Sequence, residues 1–165
     1  MRISRESLEY DIANLAFIIR DSVETERHGM HCLADICQEG NIDRVRGVLI
    51  IAYSEILTVL SPLLASPCKP SGCFHKKEDR EKECQEYFAI PLSVEFQRRI
   101  KPEIKMKIRE TAREYMICRV LADWLTITYP EQAEIWKKKY EAMLLSLTAI
   151  TAGVCCGFRR RIEPL

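Results

Sequence analysis

Four side chains that can bind a metal ion fall within one short stretch of the sequence: Cys68, Cys73, His75 and Cys84. Thiolate and imidazole groups are ligands that Zn²⁺ prefers, and a structural zinc site needs four of them in a tetrahedron. Such sites usually contain two closely spaced pairs of ligands, whereas this stretch has one close pair and irregular spacing. An ordinary polar loop is therefore the favoured interpretation, and a cytosolic zinc or thiol protein is the alternative.

Other catalytic arrangements find little support in the sequence. His28, His31 and Cys32 form a weaker metal-ligand cluster and are more typical of a helix start. Outside the 68–84 loop, nothing in the sequence brings a cysteine beside a histidine, as a nucleophile and its base require. There is no glycine-rich phosphate loop and no HExxH motif. Glu110 and Glu114 alternate with arginines, which is typical of ion pairs on a solvated helix. We therefore expect no catalytic residue and no cofactor, and a protein that acts through assembly.

The charge balance, the length and the first residues limit which partners, how many domains and which cellular location we expect. The 25 basic and 24 acidic residues give a formal net charge of +1, so no overall field attracts nucleic acid, and sequence-specific nucleic-acid binding is not expected. A length of 165 residues fits one domain with a sizeable core. The first residues lack the apolar core of a secretion signal, which predicts a cytoplasmic location with reduced cysteines.

One stretch raises the alternative of a membrane anchor. Residues 142–158 contain no charge and lie between basic residues at 137–139 and 159–161. Its length is near the lower limit of about 17 residues for a spanning helix. Serine, threonine and glycine residues dilute its apolar character, and its first half is amphipathic. A helix of a soluble protein is the favoured interpretation, and a membrane association is the less favoured one.

Apolar residues recur mostly with a helical period, which predicts a mainly α fold. We expect a bundle of about five helices in one domain at 1–150, with an insertion at 62–92 before a long fourth helix. Ser4 should cap a first helix that runs to about Val23, and a short second helix should end at Gly40. Asn41 is the expected N-cap of a core helix that reaches about Leu60.

The insertion combines a polar connection with a short β segment. Prolines, glycine and a run of charges at 62–85 predict a long exposed connection. Residues 87–92 predict a short strand, which Pro91 restricts to the edge of a sheet. Ser93 is expected to cap the next helix, and Pro102 and Pro130 are expected at kinks or new helix starts.

The predicted long helix changes its apolar face near Tyr115. Its first half has a narrow apolar stripe, and this stripe continues into Arg119 and Asp123. The other sides of the second half are apolar and include Ile117, Val120, Leu121 and Trp124. A helix that is apolar on every side must be enclosed on every side. We therefore expect neighbouring subunits to cover part of it, with Trp124 in contact with a partner.

The residues at 151–165 are predicted to form a C-terminal arm that binds a partner. Its candidate binding residues are Phe158, Arg159, Arg160, Arg161 and Ile162. The planar guanidinium groups can each pair with two carboxylate oxygens, and the two apolar side chains can act as anchors. A solvated chain end that frays is the alternative.

Three segments support a resemblance to known proteins. Residues 40–46, 115–130 and 159–165 are similar to segments of small helical prophage proteins of gut anaerobes. More loosely, the order of the elements resembles that of the head–tail connector (adaptor) proteins of tailed phages. In both, helices come first, then an inserted loop with β character, and then a long helix. The cysteine-rich loop departs from that pattern.

The resemblance implies a function in assembly. The chain would be a ring or adaptor subunit of a phage or phage-tail-like particle, in contact with copies of itself and with neighbouring phage or tail structural proteins. It would be made in the cytoplasm and then incorporated in the particle. A tail, cap or baseplate component of a contractile injection system is a close variant.

Overall fold

The computed structural model describes residues 1–26, 36, 39–65 and 86–159, and only the backbone of residues 22–26, 39, 40 and 157–159. Within these residues the chain forms five α-helices and one two-stranded antiparallel sheet, which confirms the predicted mainly α fold. The helices are α1 (Arg5–Glu26), α2 (Glu39–Leu60), α3 (Val94–Arg99), α4 (Pro102–Thr128) and α5 (Pro130–Arg159). The strands are β1 (Arg2–Ser4) and β2 (Tyr87–Ala89), and a 3-10 turn at Ser61–Leu63 follows α2.

Local signals explain most of the helix starts. The Ser4 hydroxyl accepts a hydrogen bond from the Ser7 amide at 3.3 Å, and the Ser93 hydroxyl accepts one from the Phe96 amide at 3.2 Å. These bonds satisfy amides that lack an intrahelical partner. Pro102 and Pro130 are the first residues of α4 and α5, where the missing N–H is not needed.

The predicted start of the core helix is wrong by a few residues. α2 begins at Glu39, so Gly40 and Asn41 lie in its first turn and do not separate two helices. The short helix predicted before Gly40 lies outside the described residues, apart from Ile36, which is buried.

The small sheet fastens the beginning of the chain to the end of the insertion. Ile3 of β1 is paired with Phe88 of β2, and the amino group of Met1 donates to the Ile90 carbonyl at 3.0 Å. Tyr53 of α2 stacks against Phe88, with 5.1 Å between ring centroids. The β segment and its edge position were predicted, but β1 was missed. Three residues are too few for an alternating pattern to be recognised.

The helix α4 lies at the centre of the bundle. α5 returns antiparallel to it after the single residue Tyr129, and α1 and α2 pack against its other sides. The predicted core face of α2 is confirmed, since Leu49, Ala52, Ile56 and Leu60 are fully buried. These side chains pack with fully buried residues of the other helices, among them Leu8, Ile12, Ile108, Met116, Leu121 and Leu147.

Side-chain contacts establish which helix ends lie together. Asp11 near the start of α1 pairs with Arg113, and Phe17 further along α1 lines a groove with Trp124 further along α4, so these two helices run in the same direction. Arg44 near the start of α2 pairs with Asp123, whereas Glu55 further along α2 lies beside the earlier residue Arg119, so α2 runs the opposite way. One end of the bundle, here called the turn end, therefore contains Tyr129. The other, called the α3 end, contains α3, the start of α4 and the end of α5.

Candidate assembly interface

The second half of α4 is enclosed largely by its own chain. Ile117, Val120 and Leu121 are 5%, 2% and 0% exposed without any neighbouring subunit. The prediction that the second half of α4 is enclosed is confirmed for these three residues, and their own chain is enough to cover them. Helices α1, α2 and α5 surround α4, and three neighbours are enough to bury a helix on every side. Trp124 differs from the other three because it is half-buried and packs at the border of the core.

The polar residues that interrupt the apolar stripe of α4 contact polar side chains of α2. Asp123 accepts hydrogen bonds from Arg44 at 2.9 and 2.8 Å. Arg119 lies 3.7 Å from the Glu55 carboxylate, and its guanidinium group stacks on the Tyr140 ring at 5.2 Å. The predicted change of face is therefore present. Other helices of the same chain contact α4 on these faces.

The hydroxyl of Tyr115 belongs to the same polar cluster. It donates a hydrogen bond to the Glu55 carboxylate, and its ring meets the Tyr140 ring edge-on at 5.9 Å. Burial raises the pKa of Tyr115 above its usual value, and the hydrogen bond from Tyr115 to Glu55 raises it further. The hydroxyl therefore remains protonated and neutral at physiological pH, which suits a structural donor more than a catalytic base.

An open groove between α1 and α4 is the clearest apolar concavity near a predicted partner residue. Its volume is about 240 Å³, and Trp124 and Phe17 lie in its walls. The other lining residues are Ala13, Ala16, Ile19, Arg20, Ile36, Leu125, Thr128 and Tyr129. Phe17 is 56% exposed. The α1–α4 groove thus brings together two large aromatic side chains that are far apart in the sequence.

A second cavity, larger than the groove, has a different character. It has a volume of about 600 Å³ and lies between the start of α1, α2 and β2. Its lining includes Arg5, Glu6, Glu9, Arg46 and Glu86, and Arg46 pairs with Glu9 at 3.4 Å. Sequence patterns could not predict this cleft, because its residues come from elements that only the fold brings together. The charges in its lining are of both signs and are partly exposed, so it is a solvated cleft that indicates no particular ligand.

The predicted metal ligands Cys68, Cys73, His75 and Cys84 lie outside the described residues. Across 1–26, 36, 39–65 and 86–159, no group of three or more His, Cys, Asp or Glu side chains could hold a metal ion.

The cysteines of α4 and α5 differ in burial. Cys118 is buried in the core, while Cys155 is half-buried and Cys156 is exposed. Burial raises the pKa of the Cys118 thiol to about 11. Because the thiolate is the nucleophilic form of cysteine, Cys118 is an inert core residue at neutral pH.

The predicted C-terminal arm begins as a helix. α5 continues without a break to Arg159, so the domain boundary expected at 151 does not coincide with the end of a structural element. Phe158 and Arg159 belong to the last turn of α5, and Arg160, Arg161 and Ile162 lie outside the described residues. An extended arm could therefore begin only beyond Arg159, and its contact with a partner stays a prediction.

Within the described residues, the helical stretch Asn41–Leu63 is long and apolar enough to cross a membrane by length and composition alone. The core helix of a soluble protein can meet the same criteria, and this stretch contains the buried face of α2. Residues 142–158, which suggested an anchor in the sequence, do not meet them.

Comparison of the chain with protein-family models, with curated proteins and with solved structures finds no match.

Proposed function

We propose that this protein is a structural ring or adaptor subunit of a phage or phage-tail-like particle, and that it acts through assembly and not through catalysis. The observation that supports assembly is the α1–α4 groove, which exposes Phe17 beside the half-buried Trp124. Aromatic side chains at the edge of an apolar concavity are typical of contact sites between proteins. The assignment to a phage particle rests on the resemblance of residues 40–46, 115–130 and 159–165.

The partners in this proposal are copies of the same chain and neighbouring structural proteins of the particle. Partner contact would place an apolar side chain in the α1–α4 groove and complete the burial of Trp124. A cap, tail or baseplate position in a contractile injection system requires the same surfaces and is the close variant of this proposal.

The experiment compares the oligomeric state of three proteins by sedimentation velocity and negative-stain electron microscopy. The wild type is expected to form discrete oligomers, and the double variant Phe17→Ala/Trp124→Ala is expected to lose them while remaining helical. Leu145→Ala is the matched control, because Leu145 is a similarly exposed apolar side chain on α5, away from the groove. A groove variant that assembles as the wild type does would contradict the role of the groove.

The contribution of the C-terminal residues is tested separately. A chain that stops after Arg159 retains every described residue of α5, so it should fold normally. If Arg160, Arg161 and Ile162 bind a partner, this truncation weakens incorporation into the particle. Normal incorporation at both low and high salt would reject the arm.

A further inference from the structure

The α1–α4 groove continues into a second apolar depression along α1. The depression has a volume of about 130 Å³ and shares Ala13 and Ile36 with the groove. Its other lining residues are Glu9, Ile12, Ile42 and Val45. The α1 residues that line the two run from Glu9 to Arg20, which is about 17 Å of helix. An extended segment of about five residues has that length, and we call the combined concavity the trough.

The lining of the trough is apolar apart from a few side chains. Of its charged residues, Glu9 pairs with Arg46 at 3.4 Å, whereas Arg20 stacks on the Phe17 ring at 5.0 Å. Arg20 is half-buried, so its guanidinium group and the aromatic ring form part of the same wall. A segment that fits this trough should therefore carry aliphatic side chains with a carboxylate beside one of them.

Residues 160–165, here called the arm segment, have this composition. Ile162 and Leu165 are aliphatic, and Glu163 follows Ile162 directly. Pro164 favours an extended backbone at the residue before it, and proline lowers the entropy that a segment loses on docking. Six extended residues also match the length of the trough. The chain itself thus contains a segment with the chemistry that the trough requires.

The arm segment cannot reach the turn end of its own trough. α5 begins at Pro130, directly after Tyr129 of the trough, and continues to Arg159 at the α3 end. Its 30 residues correspond to about 45 Å at 1.5 Å per residue. Six fully extended residues span at most about 22 Å, and Ile162, the third of them, reaches about half as far. Ile162 can therefore contact Trp124 or Tyr129 only in another copy.

We propose that the arm segment of one copy docks in the trough of a second copy. Ile162 packs against Phe17 and Trp124 of that copy, and Glu163 pairs with its Arg20. This inference rests on the proposed function as a self-assembling subunit, and it names the occupant of the groove. The apolar contacts supply most of the affinity, because a partly exposed ion pair contributes little.

The proposed contact fixes how copies are arranged. Each copy gives its arm segment to one neighbour and receives the arm segment of another, so the contact is head-to-tail. Such a contact produces a closed ring if the rotation between copies closes, and a filament if it does not.

The test damages the two halves of the contact separately. The arm variant is Ile162→Asp, and the trough variant is Phe17→Asp, which should fold because Phe17 is 56% exposed. By sedimentation velocity, each variant alone should associate at least about tenfold more weakly than the wild type. An equimolar mixture should form pairs and nothing larger. In such a pair, the intact arm segment of the trough variant occupies the intact trough of the arm variant, and no further contact is possible.

The matched control is Leu145→Asp, which places the same charge at an exposed apolar position on α5 away from the trough, and it should associate as the wild type does. Circular dichroism verifies that every variant is folded. A mixture that forms no pairs overturns the proposal, because the arm segment then binds elsewhere.

The ion pair is tested by exchanging its charges. Arg20→Glu and Glu163→Arg should each weaken association, because each places two like charges side by side. Both changes in one chain should restore it. Failure of the double variant to recover association overturns the pairing of Glu163 with Arg20.

A peptide tests the occupant directly. A fluorescein-labelled peptide of residues 157–165 should bind the arm variant, whose trough is intact, and should not bind the trough variant. Fluorescence anisotropy measures both. Equal binding to the two variants, or binding to neither, would contradict the proposal.

The outcomes also separate this inference from the proposed function. An arm variant that forms the wild-type oligomer rejects the arm segment as the occupant but leaves assembly through the groove intact. A wild type that remains monomeric at every concentration rejects both.

Discussion

Arg44 of α2 donates two hydrogen bonds, from Nε and Nη2, to the same carboxylate oxygen of Asp123 on α4, at 2.9 and 2.8 Å. The two residues are 79 positions apart in the sequence. Their contact lies where the polar stripe of α4 approaches α2, and it explains how a charged residue is accommodated beside the core. It also identifies α2 and α4 as neighbours, and the contact of Glu55 with Arg119 shows that they are antiparallel.

This pair should add little stability despite its geometry. The side chains are 43% and 30% exposed, and exposed ion pairs typically contribute about 0–1 kcal/mol. A double-mutant cycle with Arg44→Ala and Asp123→Ala, measured by urea unfolding, should give a coupling energy within that range. A coupling above about 2 kcal/mol would indicate a desolvated pair and contradict the observed exposure.

The hydroxyl of Tyr115 should stabilise the fold modestly. Tyr115→Phe removes its hydrogen bond to Glu55 but retains the ring, and we expect a loss of about 1 kcal/mol in the free energy of unfolding. The loss stays small because Glu55 remains partly exposed and near Arg119. Denaturant unfolding at pH 7 measures it, and Tyr140→Phe, at the ring that Tyr115 touches, is the control for hydroxyl removal without loss of this bond.

The same hydroxyl predicts a loss of stability in alkali. The folded-state pKa of Tyr115 is raised, whereas the unfolded value is about 10. A raised pKa contributes stability that is fully present below pH 10 and is lost as the pH rises towards the folded value. Wild-type unfolding free energy should therefore fall more steeply above pH 10 than that of Tyr115→Phe. Parallel curves for the two proteins would show that Tyr115 is not the responsible group.

The three described cysteines should differ in their rates of alkylation. Burial protects Cys118 and raises its pKa to about 11, whereas Cys156 is exposed on α5. Iodoacetamide at pH 8, followed by mass spectrometry of peptides, should modify Cys156 first and Cys118 only upon unfolding. Rapid modification of Cys118 in the folded protein would show that α4 is not enclosed.

Trp124 should respond to assembly while contributing moderately to protomer stability. Because it is half-buried, Trp124→Ala should cost about 1–3 kcal/mol, less than the 3–5 kcal/mol of a fully buried tryptophan. The chain has two tryptophans, so Trp136→Phe leaves Trp124 as the single reporter. Its fluorescence should shift to shorter wavelength when oligomers form. An unchanged spectrum in the oligomer would remove Trp124 from the interface.

Local interactions made much of the helical fold predictable. Ser93 caps α3 with its own hydroxyl, and Pro102 and Pro130 begin α4 and α5 because proline lacks an amide that these positions do not need. The core face of α2 was predictable because a period of 3.6 residues places Leu49, Ala52 and Ile56 on one side.

The sequence was less informative wherever the partner of an element was distant. β1 required β2, about 85 positions later along the chain, and its three residues carry no pattern of their own. The apolar residues on all sides of α4 indicated that the helix is enclosed, but they did not indicate which elements enclose it. Only the tertiary structure showed that α1, α2 and α5 supply most of the cover and leave Trp124 at a groove beside Phe17.

By itself, then, the sequence determined the mainly helical fold, most of the helix starts and the buried face of α2, because these depend on residues a few positions apart. The tertiary structure decided which helix ends lie together, and with them the partners of Arg44 and Glu55. These contacts join helices that are far apart in the sequence, and no pattern among neighbouring residues carries that information.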